Sequence, residues 1–277
     1  MAVAITAEEL DFGPGPKAGI TITGLLVGTS VLTLWRTSDN IRKEVRGHRK
    51  VTAVEGTFIE DWDVPTNRPV TYEVEVLSGP GGPARATAAP LTIVDDSSWI
   101  MDPFIPQSAL RIHGERREGN LFFRSPALEA LELNGQVNMF DIMNGETVAL
   151  FGQRMREKNI DLSMATRSAV ESANLKDLLL SSTGFLFRPG PELAGLELPG
   201  VMFISVAKVT QRPTDSLWGG EATWWDLTAD TVAAPKLRVL TATFTYADVQ
   251  AMYDTYGANQ DAFFGLTYLD NLKHPTG

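Results

Sequence analysis

Residues 70–76 alternate strictly between apolar and polar side chains, and this pattern constrains the fold more than any other feature of the sequence. The apolar members are Val70, Tyr72, Val74 and Val76, and the polar members between them are Thr71, Glu73 and Glu75. A period of two residues places the two sets on opposite faces of a β-strand. The pattern therefore predicts a strand with one buried face and one solvated, acidic face.

Other runs of β-forming residues in the first third of the chain lie between turn signals. They are residues 20–23, 31–35, 57–62 and 84–94. Residues 13–16 and 79–83 are rich in glycine and proline and cannot continue a helix or a central strand, so they are predicted to be loops. Short strands at this spacing, with turns between them, predict a β-sandwich over residues 1–97.

The polar segment Asp95-Asp96-Ser97-Ser98 marks a predicted domain boundary, and residues 98–277 mix strands with a few helices. Ser168 and Glu171 form a capping-box pattern at the start of a predicted helix over residues 168–181, which Gly184 should end. Its predicted apolar face consists of Val170, Ala173, Leu175, Leu178 and Leu179. Strands are predicted at residues 160–165, 185–188, 201–209 and 222–227, the last two paired, with a second helix from about Thr245 to Gly257.

Charge and cysteine content exclude several classes of function. The net charge of −10 repels phosphate backbones, so specific nucleic-acid binding is not expected. The absence of cysteine excludes disulfides and cysteine-ligated metals. The basic cluster Arg42, Lys43, Arg46, Arg49 and Lys50 is interpreted as a solvated loop. The first ten residues do not resemble a signal peptide, and the apolar stretch at 19–34 is too polar for a membrane span, so no membrane partner is expected.

Residues with catalytic or metal-binding potential are few and scattered. The three histidines, His48, His113 and His274, lie far apart, and no Gly-x-Ser-x-Gly or His-Glu-x-x-His motif is present. Glu60, Asp61 and Asp63 cluster as carboxylates do in glycoside hydrolases and Ca²⁺ sites, with Glu60 and Asp63 as the hydrolase alternative. We interpret the cluster as a solvated turn, and Asp95, Asp96 and Asp102 as linker acids. The prediction is a non-enzymatic protein without catalytic, cofactor-binding or metal-binding residues.

Aromatic residues are the main candidates for binding. Trp35 and one of Trp224 and Trp225 are predicted to lie in the cores, and Tyr72 is a candidate for a tyrosine-corner-like contact. The other tryptophans are assigned to interfaces, with Trp99, Trp218 and Trp224 as the named interface candidates. The alternative is a carbohydrate-binding module for attachment to a host surface, with Trp218 and Trp224 exposed in one groove.

Several short segments, in order along the chain, resemble a known protein family. The segments are Leu32-Thr33-Leu34-Trp35-Arg36-Thr37, Val45-Arg46-Gly47, residues 59–64, Pro69-Val70-Thr71-Tyr72, Trp99-Ile100-Met101-Asp102-Pro103, Trp225-Asp226-Leu227, Pro235 and Tyr246-Ala247-Asp248. They are similar to minor tail proteins of long-tailed bacteriophages that infect actinobacterial hosts. In that family the amino-terminal domain resembles fibronectin type III modules, so the resemblance implies that the sandwich over residues 1–97 is of the fibronectin III or Ig-like type.

The resemblance implies a structural subunit of the phage tail tip or baseplate, made in the host cytoplasm and located in the virion. It implies a ring, threefold or sixfold, at the distal end of the tail tube that links the tube to the adsorption apparatus. The expected partners are copies of the chain itself, the tail tube, the tape measure protein and other tail-tip proteins, with a host-surface glycan as a minor alternative. By analogy of fold pattern, the second domain is expected to be a β-rich, tail-tube-like split barrel with one or two packed helices.

Overall fold

The computed structural model describes residues 2–11, 13–114, 121–124, 127, 135–141, 147–154, 158–214, 222–236, 252–253 and 255–262 of the 277-residue chain. These residues are mainly β-structure, as predicted. The chain divides into two compact units. The first contains Met1–Asp95 and Pro103–Ala109, and the second contains Asp96–Asp102 and Leu110–Ala234, while the described residues after Pro235 group with the first. The division into domains at residues 97 and 98 stays a prediction.

The first unit is built from two antiparallel sheets. Its strands are β1 (Ala4–Leu10), β2 (Lys17–Thr23), β3 (Thr29–Ser38), β4 (Ile41–Glu44), β5 (Val51–Val54), β6 (Thr57–Asp61), β7 (Thr71–Ser78) and β8 (Ala84–Thr87). One sheet has the order β1-β2-β6, and the other has the order β4-β3-β7-β8 with β5 paired to β3. The core between them includes Ile20, Leu34 and Val74.

Strand β7 confirms the alternation that opened the sequence analysis, because Tyr72, Val74 and Val76 are buried. The turn signal after β3 is also confirmed. Asp39 and Asn40 adopt left-handed conformations with φ of 52° and 60°, and they join β3 to β4 in a tight hairpin.

The strand predicted over residues 84–94 is shorter in the structure. Strand β8 ends at Thr87, and Leu91 meets Val70 only in an isolated bridge. Pro90 lacks the N–H that a longer ladder would require. Ile93 is buried in the core and Val94 is 78% exposed, so the end of this segment still packs on the core although it does not continue the strand.

The second unit and the segment that leads into it contain the remaining named strands and two short helical segments. The strands are β9 (Ser98–Asp102), β10 (Ile105–Ile112), β11 (Leu121–Phe123), β12 (Gly135–Asp141), β13 (Thr147–Arg154), β14 (Ile160–Asp161), β15 (Met164–Thr166), β16 (Gly184–Arg188), β17 (Met202–Pro213) and β18 (Thr223–Val232). The helical segments are α1 (Ala169–Ser181) and a 3₁₀ helix (Pro191–Leu196). The strand predicted at residues 160–165 is thus divided into β14 and β15.

An eight-stranded sheet has the order β10-β9-β16-β17-β18-β15-β11, with β14 also paired to β18, while β12 and β13 form a separate hairpin. The predicted pairing of residues 201–209 with 222–227 is confirmed by β17 and β18. The core beneath the large sheet includes Phe185, Ile204 and Trp225.

Strand β17 is longer than its neighbour on one side. It pairs with β16 only over Met202–Ser205, but with β18 as far as Pro213. Residues 207–213 therefore border β18 alone among the described strands. A strand segment of this kind presents backbone donors and acceptors at its outer edge.

Helix α1 begins as the capping box predicts, because the Ser168 hydroxyl accepts a hydrogen bond from the Glu171 backbone N–H at 3.1 Å. Leu175 and Leu178 are buried, but Val170 is 68% exposed. The buried face of the helix therefore does not include its first turn, as the prediction had assumed. In the described part of the chain, no helix has the length and apolar character needed to cross a bilayer.

Near the carboxyl end, a second α-helix, α2, covers Tyr256–Ala262. Gly257 lies inside this helix, so its predicted role as a helix stop was wrong. Most of the helix predicted from Thr245 lies outside the described residues.

Candidate interaction surface

The carboxylates at the end of β6 are buried, contrary to the interpretation as a solvated turn. Asp61 is 2% exposed and Asp63 is 4% exposed. Arg36 Nη1 donates to Asp61 Oδ2 at 2.7 Å, and the Tyr72 hydroxyl donates to the same oxygen at 2.9 Å. The Asp63 backbone N–H donates to Asp61 Oδ1 at 2.9 Å. Asp61 is therefore the centre of a buried polar network.

Arg46 extends this network. Its Nε and Nη2 each donate to one Asp63 carboxylate oxygen at 2.8 Å, a bidentate geometry. Its Nη1 donates to the Pro103 carbonyl oxygen at 2.6 Å. The Arg46 side chain is 7% exposed, so its assignment to a solvated basic loop was wrong, whereas Arg49 in the same cluster is 68% exposed. We refer to Arg36, Arg46, Asp61, Asp63 and Tyr72 as the charge network.

The electrostatics of the charge network fix its protonation states. Burial alone would raise the pKa of Asp61, but the Arg36 guanidinium and the hydrogen bonds to the carboxylate outweigh burial and lower it below the ordinary value. Burial and the adjacent Asp61 carboxylate raise the pKa of the Tyr72 phenol well above its ordinary value. Asp61 is thus held as an anion beside a neutral phenol, an arrangement that suits a structural role better than proton transfer.

The lowered pKa of Asp61 makes part of the stability pH-dependent. The stabilisation that ionised Asp61 provides should be complete above pH 3.8, the ordinary pKa of an aspartate. It should be lost as the pH falls through the lower pKa that Asp61 has in the folded state. Denaturant titrations of the wild type and of Asp61→Asn, made between about pH 2 and pH 6, will measure it. We expect the difference between their free energies of unfolding to shrink toward acid. A difference that stays constant over this range would contradict the assignment.

Glu60, the third carboxylate, is held separately from the charge network. Its Oε1 accepts from Lys17 Nζ at 3.0 Å, and its Oε2 accepts from Trp62 Nε1 at 3.2 Å. Lys17 is fully buried and its Nζ lies 4.6 Å from the centroid of the Trp62 ring. The two carboxylates considered for hydrolysis are therefore each paired with a cation, Glu60 with Lys17 and Asp63 with Arg46. Trp62 was assigned to an interface but is buried.

Trp35 lies on the outer face of β3, so its predicted core position was wrong. The Arg42 guanidinium stacks over its ring at 3.8 Å, and its Nε1 donates to Glu75 Oε2 at 3.0 Å. Alternation along β3 explains the error, because Leu34 points into the core and its neighbour Trp35 must point outward. Arg36 shares the inward direction of Leu34 and reaches Asp61 instead of solvent.

Each of the two described histidines has its own hydrogen-bonding contact. His48 Nδ1 lies 3.0 Å from the Arg46 carbonyl oxygen, and the His113 backbone N–H donates to Leu121. His274 lies outside the described residues. Within the part of the chain that the structure describes, no group of three or more His, Asp or Glu side chains is arranged to hold a metal ion.

The three interface candidates have different environments. Trp99 is partly buried on β9, with the Arg111 guanidinium 5.9 Å from its ring centroid and Arg111 paired to Asp96. Trp218 lies outside the described residues, so a sugar-binding groove formed with Trp224 stays a prediction. Trp224 is 42% exposed on β18, while the adjacent Trp225 is 2% exposed and is the predicted core member of the pair.

Trp224 is surrounded by an ordered set of charged side chains. Arg212 lies opposite it on β17, and the Arg124 guanidinium is 4.8 Å from the centroid of its ring. Asp226, two residues further along the same face of β18, lies 3.0 Å from Arg124 Nη2 and 2.8 Å from Arg212 Nη2. We call these four residues the Trp224 surface.

The Trp224 surface has the composition of a protein–protein hot spot, in which tryptophan and arginine are over-represented. Asp226 pairs with both arginines, so the surface already contains the charged contacts that a partner would meet. Sequence reasoning found Trp224 but missed its neighbours. The period of two along β18 would have placed Asp226 on the same face as Trp224. The position of Arg212 could be predicted only from the register of β17 against β18, and that of Arg124 only from the tertiary fold.

Comparisons of the chain with protein-family models, curated proteins and solved structures each returned no match. The likeness to phage tail proteins therefore rests on the sequence segments described above.

Proposed function

We propose that this chain is a non-enzymatic structural subunit of a bacteriophage tail tip, which forms a ring at the distal end of the tail tube and links the tube to the adsorption apparatus. The observation that carries the proposal is the long β17–β18 pair, which combines an outer strand edge with the Trp224 surface. Another protein chain could bind at both features. The resemblance to minor tail proteins, whose segments occur in the same order along this chain, indicates that the assembly is a phage tail tip.

The strand order of the first unit supports its assignment as a fibronectin III-like module. In the lettering used for immunoglobulin domains, β1, β2 and β6 correspond to strands A, B and E of one sheet. Strands β4, β3, β7 and β8 correspond to C′, C, F and G of the other sheet, and β5 is an additional strand. This strand order is the one expected of an Ig-like sandwich whose fourth strand joins the C-F-G sheet, as in fibronectin type III modules, and it supports that assignment. Tyr72, at the start of strand F, bonds back to Asp61 at the end of strand E, a side-chain variant of the tyrosine corner.

The second unit supports a role in self-assembly. A large antiparallel sheet with one packed helix is the pattern expected of a tail-tube-like barrel, to which we assign this unit by analogy. The outer edge of β17 at residues 207–213 offers backbone groups for strand pairing across subunits. Lys208 and Arg212 on this segment discourage unspecific pairing, so the edge is suited to one partner geometry.

Ring formation through the Trp224 surface can be tested by substitution. We expect the purified chain to form a closed threefold or sixfold oligomer, and Trp224→Ala to weaken each contact by at least 2 kcal/mol, or about 30-fold. Sedimentation velocity over a concentration series measures the effect. Thr228→Ala, at another exposed position on the same face of β18, is the matched control and should assemble normally. A wild-type chain that stays monomeric, and is missing from purified virions, would refute the proposal.

A further inference from the structure

Residues 207–213, at the end of β17, are open to solvent on both faces of the strand and at its outer edge. All their side chains are exposed except that of Thr210, which is half-buried. Their inner edge pairs with β18, and no described strand pairs with their outer edge. Val209 is 36% exposed, although Leu227, opposite it on β18, is only 1% exposed. A strand segment with this exposure is a template for pairing with a further strand.

Strand β1 (Ala4–Leu10) presents a second open edge, in the first unit. It pairs with β2 along its whole length and is the outermost strand of the sheet β1-β2-β6. No other described strand pairs with its outer edge. It has seven residues, the same length as the open segment of β17. The two edges can therefore pair over their full lengths through backbone hydrogen bonds.

The two open edges carry charges of opposite sign. Residues 4–11 contain acidic but no basic side chains, whereas residues 207–213 contain basic but no acidic side chains. The acids are Glu8, Glu9 and Asp11, and the bases are Lys208 and Arg212. Opposite charges attract across an interface and like charges there are costly, so each edge is a better partner for the other than for itself.

Charge also distinguishes β1 from other strands that lie at a sheet edge. Strands β4, β8 and β10 carry arginine or lysine side chains, which would repel those of residues 207–213. In β6, the acids Glu60 and Asp61 are already paired with Lys17 and Arg36. Among these strands, β1 therefore suits the basic edge best.

We propose that β1 of one copy of the chain pairs with residues 207–213 of the next copy as an added strand. This inference rests on the proposed ring, and it names the surface that the edge of β17 meets there. The contact joins two different surfaces, so it is heterologous and can repeat around a cyclic ring. The net charge of −10 on each copy acts at long range and is screened beyond about 8 Å at physiological salt, so the close opposite charges decide the pairing.

An antiparallel pairing over the full length of both edges defines one register. It brings Glu9 of one copy opposite Lys208 of the next. It also brings Ala4 opposite Pro213, so the residue that lacks a backbone N–H lies at the end of the ladder.

The same register brings the Trp224 surface into the contact. Ile5 would lie opposite Arg212, which itself lies opposite Trp224 on β18. Side chains that lie opposite one another in a sheet point to the same face. Ile5 points into the core between the two sheets of its own unit, so the second sheet of that copy would lie on the same side as Trp224. The strand edge and the Trp224 surface would thus belong to one interface.

Cysteine cross-linking tests the pairing directly, because the chain contains no cysteine. Glu9→Cys and Lys208→Cys are made in separate chains and mixed under mild oxidation. Opposite residues of an antiparallel pair lie about 5 Å apart between Cα atoms, which suits a disulfide. A mixed disulfide dimer should form at least about tenfold faster than in a mixture of Glu55→Cys with Lys208→Cys, where Glu55 is an exposed acid outside β1. Equal rates would overturn the proposal.

Charge reversal gives an independent measurement. Glu9→Lys and Lys208→Glu should each weaken the ring contact about tenfold, because each places like charges opposite one another. The double variant should regain most of the affinity, and Glu55→Lys, the matched control, should assemble as the wild type does. Sedimentation velocity over a concentration series measures all four. A double variant that assembles no better than the single variants would contradict the pairing.

The outcomes separate this inference from the proposed ring. A ring that Trp224→Ala weakens but Glu9→Lys leaves unchanged would keep the proposed function and remove β1 from the contact. A wild-type chain that stays monomeric at every concentration would remove both.

Discussion

Asp61→Ala is expected to lower the free energy of unfolding of the first unit by about 3–5 kcal/mol, because it removes one partner of a buried ion pair. Arg36, whose side chain is 11% exposed, would lose its carboxylate, and the fully buried Tyr72 hydroxyl would lose its acceptor. Both groups would remain away from water without replacement partners. Amide hydrogen exchange of β3 and β7 gives the stability of this unit separately from the second one.

A matched control removes an exposed ion pair from the same sheet. Arg42 Nη2 lies 2.7 Å from Glu73 Oε1, with side-chain exposures of 40% and 28%. Glu73→Ala should therefore cost less than about 1 kcal/mol. Combining Arg36→Met, Asp61→Leu and Tyr72→Phe should recover part of the loss, because it removes the two side-chain groups that Asp61→Ala leaves unpaired, whereas the Asp63 backbone N–H still lacks its acceptor. If Asp61→Ala and Glu73→Ala cost the same, Asp61 is not the centre of the network.

The elements that sequence reasoning predicted well are those determined by local interactions. The alternation in β7, the turn at Asp39 and Asn40, and the Ser168 cap each depend on residues within a few positions of one another. The pairing of β17 with β18 was also predicted, because two long β runs lie close together in sequence. Local periodicity and turn chemistry are sufficient in such cases.

The errors occurred where a partner distant in sequence decides the position of a charged residue. Arg36 and Asp61 are 25 residues apart, and Arg46 and Asp63 are 17 apart, so neither pair leaves a local signal. A charged residue without a visible partner is assigned to the surface by default. In β3, Trp35 was predicted to lie in the core, but its neighbour Arg36 is the one that points inward, to Asp61.

The candidate interaction surface was predictable only in part. An exposed tryptophan in a β-strand pair is recognisable from sequence once Trp225 is assigned to the core, because neighbouring residues face opposite sides. The charged residues around Trp224 come from three separate segments, and only the register and the fold bring Arg124 and Arg212 to Asp226.

Trp225→Ala is expected to destabilise the second unit by about 3–5 kcal/mol, as truncation of a large buried aromatic does. Trp225 is 2% exposed and packs in the same core as Met164 and Leu227. Its Nε1 donates to Thr166 Oγ1 at 3.3 Å, so the substitution leaves a cavity and removes a buried hydrogen bond. Hydrogen exchange of the β15 and β17 amides measures the loss.

The adjacent tryptophan provides the matched comparison for this experiment. Trp224, on the opposite face of β18, is 42% exposed and contacts Arg124, so Trp224→Ala should cost the isolated unit less than about 1 kcal/mol. The two substitutions should therefore separate stability from assembly. Trp225→Ala should speed exchange throughout the unit, whereas Trp224→Ala should weaken self-association and leave exchange in the dissociated chain almost unchanged. Similar exchange rates in both variants would contradict the assignment of Trp225 to the core and of Trp224 to a contact with a partner.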